Sequence, residues 1–202
     1  MTDGHINVGI CFLDTSVGII NLCQFEDNKD LNCLETILAF YPPSEILYNR
    51  STKAIFDDLL NKFSSISRRP LVFPESGKAL KMLHDYYGSK SEWPNQMLNY
   101  IDESDSLGLT ANRNSDMVMT AFGGMLIYLR QAMIDYQILN QRKINNLEPP
   151  LVSTKLTVQE VPKGKHMILD VKTLRHLDII PNSGNLIDKN GISLAEYCWP
   201  LR

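Results

Sequence analysis

Two stretches near the start of the chain are apolar at almost every position: Val8 to Leu13 (VGICFL) and Ile19 to Phe25 (IINLCQF), with a short turn centred on Ser16 and Gly18 between them. Runs of this length bounded by turn residues predict a β-hairpin. The first run is apolar on both faces, which predicts a central strand. The period then lengthens. In DNKDLNCLETILAFYPP, Leu31, Leu34, Leu38 and Tyr41 fall on one helical face, with Asn28 or Asp30 as the cap. Pro42-Pro43 stops that helix, because a proline disfavours the α region for the residue before it, here Tyr41. Glu45 to Tyr48 (EILY) predicts a strand returning from the helix, and a crossover of this kind gives parallel pairing. The expected sheet is therefore mixed, hairpin first and crossover second.

Further along, Ser51 to Phe63 is amphipathic through Ile55, Leu59, Leu60 and Phe63. The basic pair Arg68-Arg69 precedes a predicted strand at 71 to 73, and Lys78 to Tyr87 is again helical. The stretch from Ser89 to Ser115 mixes turn residues with short apolar groups and carries no clear period. The clearest helix is Ser115 to Leu139, where Val118, Phe122, Met125, Leu129 and Met133 recur at helical spacing behind a Ser115 cap. Gly123-Gly124 in its middle costs about 1 kcal/mol per glycine relative to alanine. A neighbouring sheet or helix must therefore approach that backbone closely. NNLEPP at 145 to 150 breaks the pattern, LVSTKLTVQEV reads as an exposed strand, and KHMILDVKTLRHLDII opens a new helix. A boundary falls near residues 145 to 165.

Composition narrows the function classes. Of the 202 residues 44% are hydrophobic and 21% charged, enough apolar material to close a core. The net charge of -3 lacks the basic footprint of phosphate-backbone binding, so this piece alone should hold DNA weakly. Cys11, Cys23, Cys33 and Cys198 form no C-x-x-C pair and the N-terminus carries no secretory signal, which predicts reduced thiols in a cytosolic or nuclear protein. No apolar run approaches the roughly 20 residues needed to span a bilayer.

Several segments together carry a resemblance. FLDTSVGIINLCQFED, LETILAFYPPSEILY, ESDSLGLT followed by AFGGMLIYLRQAMID, and MILDVKTLRHLDI resemble the MutS family of DNA mismatch repair proteins, in the order found in its connector domain and the opening of its lever-and-core domain. The Tyr41-Pro42-Pro43 turn, the run Asp105 to Thr110 and the Gly123-Gly124 pair resemble the eukaryotic mismatch-recognising subunits more than the bacterial proteins. The resemblance spans roughly residues 8 to 186 and implies an α/β fold: an RNase H-like mixed sheet flanked by helices, with a C-terminal helical appendage. It places the connector at 6–160 and a truncated start of the lever/core domain at 161–202, so the chain is expected to be a fragment in family terms. It implies a nuclear protein whose partners are a MutS-family partner subunit and MutL-type proteins. Mismatched DNA, ATP and Mg²⁺ would be bound through domains outside this sequence.

The candidate chemistry is sparse. Asp14 ends the first strand, where RNase H-like nucleases hold their first metal-binding aspartate. Two-metal hydrolysis needs several carboxylates converging on ions about 3.5 to 4 Å apart. The tip where a second is expected reads Tyr48-Asn49, while Glu35 lies within the crossover helix and Glu45 begins the returning strand. Asp14 is better read as a turn former accepting N–H bonds from Ser16 or Val17. Thr15 to Gly18 is a weak match to a kinase phosphate loop. Gly77-Lys78 and Gly164-Lys165 lack the rest of a P-loop. His5, His84, His166 and His176 have no metal-ligand spacing, and Ser16, Ser106 and Ser153 lack a nucleophile elbow. Lys163, Lys165, His166, Lys172, Arg175 and His176 form a basic cluster, but Asp170 and Asp178 interleave it as on a solvated helix face. No catalytic, cofactor or metal residue is assigned. The expected function is a non-catalytic connector, and the alternative is a stand-alone metal-dependent nuclease using Asp14.

Overall fold

The computed structural model describes residues 5–147, apart from 64, 103 and 106, together with Thr173. β1 (Ile6–Asp14) and β2 (Ile19–Asp27) form the hairpin, antiparallel with Val8 opposite Phe25 and Leu13 opposite Ile20. Because side chains alternate across a strand, this register puts Val8, Ile10, Cys23 and Phe25 on one face and Cys11, Leu13, Ile20 and Leu22 on the other. Each face builds its own core.

The first face is covered by α1 (Asn32–Phe40), α2 (Lys53–Lys62) and the strands between and after them, with Leu31, Leu34, Ile37, Leu59 and Phe63 buried against Val8 and Phe25. The second face carries α3 (Ser76–Tyr87) and α5 (Asp116–Gln131), which bury Leu80, Leu83, Val118, Met119, Phe122, Leu126 and Leu129 with Ile20 and Leu22. The periodless stretch joins this second core: Trp93, Met97 of the short α4 (Asn95–Leu98) and Ile101 are all buried there. After α6 (Asp135–Leu139), β5 (Ile144–Asn146) runs parallel to β2, so one sheet has the order β1-β2-β5. β3 (Glu45–Asn49) and β4 (Ser67–Leu71) form a separate parallel pair. The class is mixed α/β as expected.

Several expectations are corrected. β1 lies at the edge of its ladder and β2 is central. β1 is apolar on both faces because helices cover both, and that pattern reports burial rather than position in the sheet. β3 finds its parallel partner in β4, while the hairpin takes its parallel strand from β5. β4 lies upstream of the expected 71 to 73 and includes Arg68, Arg69 and Pro70; it is an exposed edge, where proline and charge are tolerated and Val72 is left in solvent.

The cap of α1 is neither Asn28 nor Asp30 alone. Leu31 at the N-cap position adopts φ 54°, and Asp27, only 4% exposed at the end of β2, accepts N–H bonds from Asn28, Cys33 and Leu34 at 2.8, 3.1 and 2.9 Å. Asn28 contributes one longer bond from Asn32. On this helix Tyr41 is exposed and Ile37 takes the buried place, and on α2 Ile55 is exposed while Phe56 packs.

The long helix also stops early. Met133, expected on the buried stripe, has φ 57° and is 90% exposed. Its N–H bonds to the carbonyl of Arg130 and that of Ile134 to Leu129, the paired bonds of a Schellman stop with methionine where glycine is usual. Ser115 precedes α5 but makes no side-chain cap bond. The exposed strand expected at 151 to 161, the helix beyond it, the basic cluster at 163 to 176 and Cys198 lie outside the described residues.

Candidate functional site

The tip of β1 is built by Asp14 itself. Its Oδ1 accepts the backbone N–H of Ser16 at 2.9 Å and the Ser16 hydroxyl at 2.5 Å, and Gly18 at φ 67° closes the turn with an N–H bond of 2.8 Å to the Asp14 carbonyl. The Ser16 hydroxyl, then its N–H, hold the Asp14 carboxyl below the usual carboxylate range. This is the turn role read from the sequence.

The other carboxylates considered for a nuclease centre point elsewhere. Asn49 ends β3 and its Oδ1 accepts the N–H of Ser51. Glu35 is buried on α1 with Lys62 Nζ 2.9 Å from its Oε2. Glu45, at the opposite end of β3 from Asn49, bonds to Arg69 and Tyr128. Among the described residues no three His, Cys, Asp or Glu side chains gather. His5 and His84 are exposed and belong to no such group. Burial pushes the Cys23 thiol up to about 11, and burial followed by the Asp27 charge pushes Cys33 up to about 12. Such thiols are poor nucleophiles at neutral pH. Gly77 and Lys78 lie inside the first turn of α3.

What the fold does assemble is a set of polar ties between elements. At the first, Glu45 Oε1 on β3 lies 3.1 Å from Arg69 Nε on β4, while its Oε2 accepts the hydroxyl of Tyr128 on α5 at 2.6 Å. The Arg69 guanidinium also sits 5.3 Å from the centre of the Tyr128 ring. The Glu45 bond raises the Tyr128 hydroxyl, so it stays a donor at neutral pH. At the second, Tyr86 on α3 donates to Asp135 at the start of α6 and accepts from Arg130 Nε at 2.9 Å, with Tyr136 edge-on to its ring at 5.0 Å. The third is the loop at 101 to 112, pinned by the bridge between Ile101 and Ala111. Asp105 accepts N–H bonds from Leu107, Leu109 and Thr110, and Lys90 Nζ bonds the carbonyl of Asp105 at 2.9 Å.

Sequence reasoning noticed Arg69 and Glu45 separately, but missed Tyr128 and the whole Tyr86 group. The available signal was a tyrosine on a helix with a buried apolar face, since a tyrosine packed on a core seeks a partner for its hydroxyl. The Tyr128 and Tyr86 ties join elements that lie far apart in the sequence.

The family model for MutS domain II matches residues 2–141. The chain is 29% identical over 202 residues to the DNA mismatch repair protein Msh6 of Gallus gallus, across 91% of this chain and 15% of that protein. It is 30% identical over 206 residues to the Msh6 protein of Homo sapiens, with the same coverage, and 29% identical over 208 residues to a probable Msh6 protein of Drosophila melanogaster, across 94% of this chain and 17% of the relative. The chain thus spans about a sixth of the length of these relatives or less.

Proposed function

The chain belongs to the MutS family, and from that premise we propose that it serves DNA mismatch repair as a non-catalytic connector, passing state between mismatch-binding and ATPase parts and offering surface to a MutS-type partner subunit and to MutL-type proteins. The observation that carries this reading is α5. Its first turns lie on the hairpin and its later turns hold β3 through Tyr128, so one rigid element meets both ladders. The relatives are named for mismatch repair, and the nucleus is where the protein acts on this reading. ATP and Mg²⁺ belong to other parts of such a protein, and the unit at 6–160 would act through packing alone.

The alternative is a metal-dependent nuclease built on Asp14. The two are separated by incubating the purified chain with duplex, RNA–DNA hybrid and junction substrates in Mg²⁺ or Mn²⁺. No cleavage is expected. Cleavage present in the parent and lost in Asp14→Asn would overturn the connector. In the same preparation, mismatched and matched duplexes should bind equally weakly, with affinity falling as salt rises. A mismatch preference of about tenfold or more, worth about 1.4 kcal/mol, would place the recognition surface on this chain and contradict the division of labour proposed.

A further inference from the structure

The two ladders belong to different amounts of core. Ile46 of β3, Phe56 and Leu59 of α2, and Phe63 and Ile66 after it pack into the cluster on the Val8 face, and among the described residues none of β3 or β4 enters the cluster around Phe122. Among the described residues no backbone ladder joins β3 to β1. Among the contacts of the described residues, two join the β3-α2-β4 segment and its C-terminal flank to α5. One is steric: Phe73 and Pro74, just after β4, fill the space left by the missing side chains of Gly124 and Gly123. The other is polar: the cluster of Tyr128, Glu45 and Arg69.

We propose that the Tyr128–Glu45–Arg69 cluster is a latch, a reversible tie that sets how firmly the β3-α2-β4 segment moves with α5. Three features suit it to that work. It joins three elements at one point, with Glu45 using one oxygen for β4 and the other for α5. It is accessible, Arg69 and Glu45 side chains being 52% and 24% exposed, so water can compete for each bond. Opening it buries no unpaired charge, because each group is free to hydrate. α5 is anchored independently at its other end, where Gly9 of β1 lies against the Met117 backbone and Gln24 Oε1 accepts the N–H of Val118 at 2.9 Å. Releasing Tyr128 therefore removes the polar tie between the segment and α5 and leaves the helix seated. For a connector, which is the reading this use rests on, the latch decides whether a push on α2 or β4 reaches α5.

Hydrogen–deuterium exchange of the whole chain tests it, comparing the parent with Tyr128→Phe, Glu45→Gln and the double variant. Amides in 45–71 should exchange about fivefold faster in each single variant, or about 1 kcal/mol where about 1.4 is tenfold. The double variant should be no faster than the singles, since all three break one tie. Amides of β1, β2 and α3 should keep their rates, and Tyr86→Phe, which loosens the other tyrosine cluster, should leave 45–71 unchanged. Unchanged exchange of 45–71 in Tyr128→Phe, or equal acceleration across the whole chain, overturns the latch. Neither result depends on repair activity, whereas nuclease activity in the parent would overturn the connector and leave the exchange pattern intact.

Discussion

At the scale of single residues, backbone conformation and hydrogen-bond supply decide more than side-chain class does. Met133 occupies the left-handed position of the stop after α5 with 90% of its surface in water. A non-glycine residue there costs about 1 kcal/mol or more, and this one recovers no burial. Met133→Gly should raise stability by about 1 kcal/mol, read as a higher midpoint in denaturant with an unchanged slope. Leu31 has a similar backbone angle but is buried, so the same exchange there should destabilise. Asp27 presents the opposite case, because its carboxylate supplies acceptors to three N–H groups beside a buried helix start. Asp27→Ala should cost about 2 kcal/mol, the upper end of the capping range, since two of the three bonds it removes are buried.

Asp105 shows how the same bonding sets a pH response. The Thr110 hydroxyl, then the Leu107 N–H, hold its carboxyl down at about 2. The folded value lies below the unfolded one of about 3.9, so the loop's contribution is complete above pH 4 and is lost as pH falls from about 4 through about 2. A carboxyl titration followed by NMR should place Asp105 near pH 2, with Leu107 and Thr110 amide shifts following the same curve. A midpoint near 4 would mean that the loop bonds are absent in solution.

At the scale of elements, the helix α5 and the strands it crosses are held by missing side chains. A methyl group at Gly9 would stand 2.2 Å from the Met117 carbonyl carbon, and at Gly124 2.6 Å from the ring of Phe73. Backbone cannot step aside as a ring can. Gly9→Ala should therefore cost about 3 kcal/mol or more, above the usual overpacking range, and Gly124→Ala less. Urea melts of both variants check the ranking, and a reversed order would show that α5 slides on β1 more easily than the contact implies. The Gly123-Gly124 pair signalled close approach from the sequence, and α3 is indeed one neighbour through Ala79. Pro74 and Phe73, which lie between elements, could not be named in advance, because a glycine records that something is near and not what it is.

At the scale of the whole molecule, the hairpin separates two cores, and among the described residues the buried members of both fall between Val8 and Ile144. Removing residues 163–202 should therefore shift the thermal midpoint by no more than a few degrees, less than about 1 kcal/mol for a unit of this size. Melting curves of the full and shortened chains decide it, and a loss of many degrees would place the boundary of the folding unit further along.

The chain by itself determined the hairpin, because two apolar runs around a Ser-Gly turn pair locally and need no distant partner. It also determined the helices α1, α2, α3 and the first four turns of α5, since a 3.6-residue apolar period can be buried only one way. The role of Asp14 was legible for the same reason: its partner Ser16 is two residues away. Tertiary structure decided the rest. Whether β1 is central or at an edge, and whether β3 joins β4 or the hairpin, depends on neighbours distant in sequence that alternation does not encode. The buried stretch around Trp93, Met97 and Ile101 has no period because its apolar residues meet the core singly, from turns. The Tyr128, Glu45 and Arg69 cluster is likewise a product of the fold alone, as its residues lie far apart in the sequence and become neighbours only when β3 pairs with β4 and α5 packs beside β3.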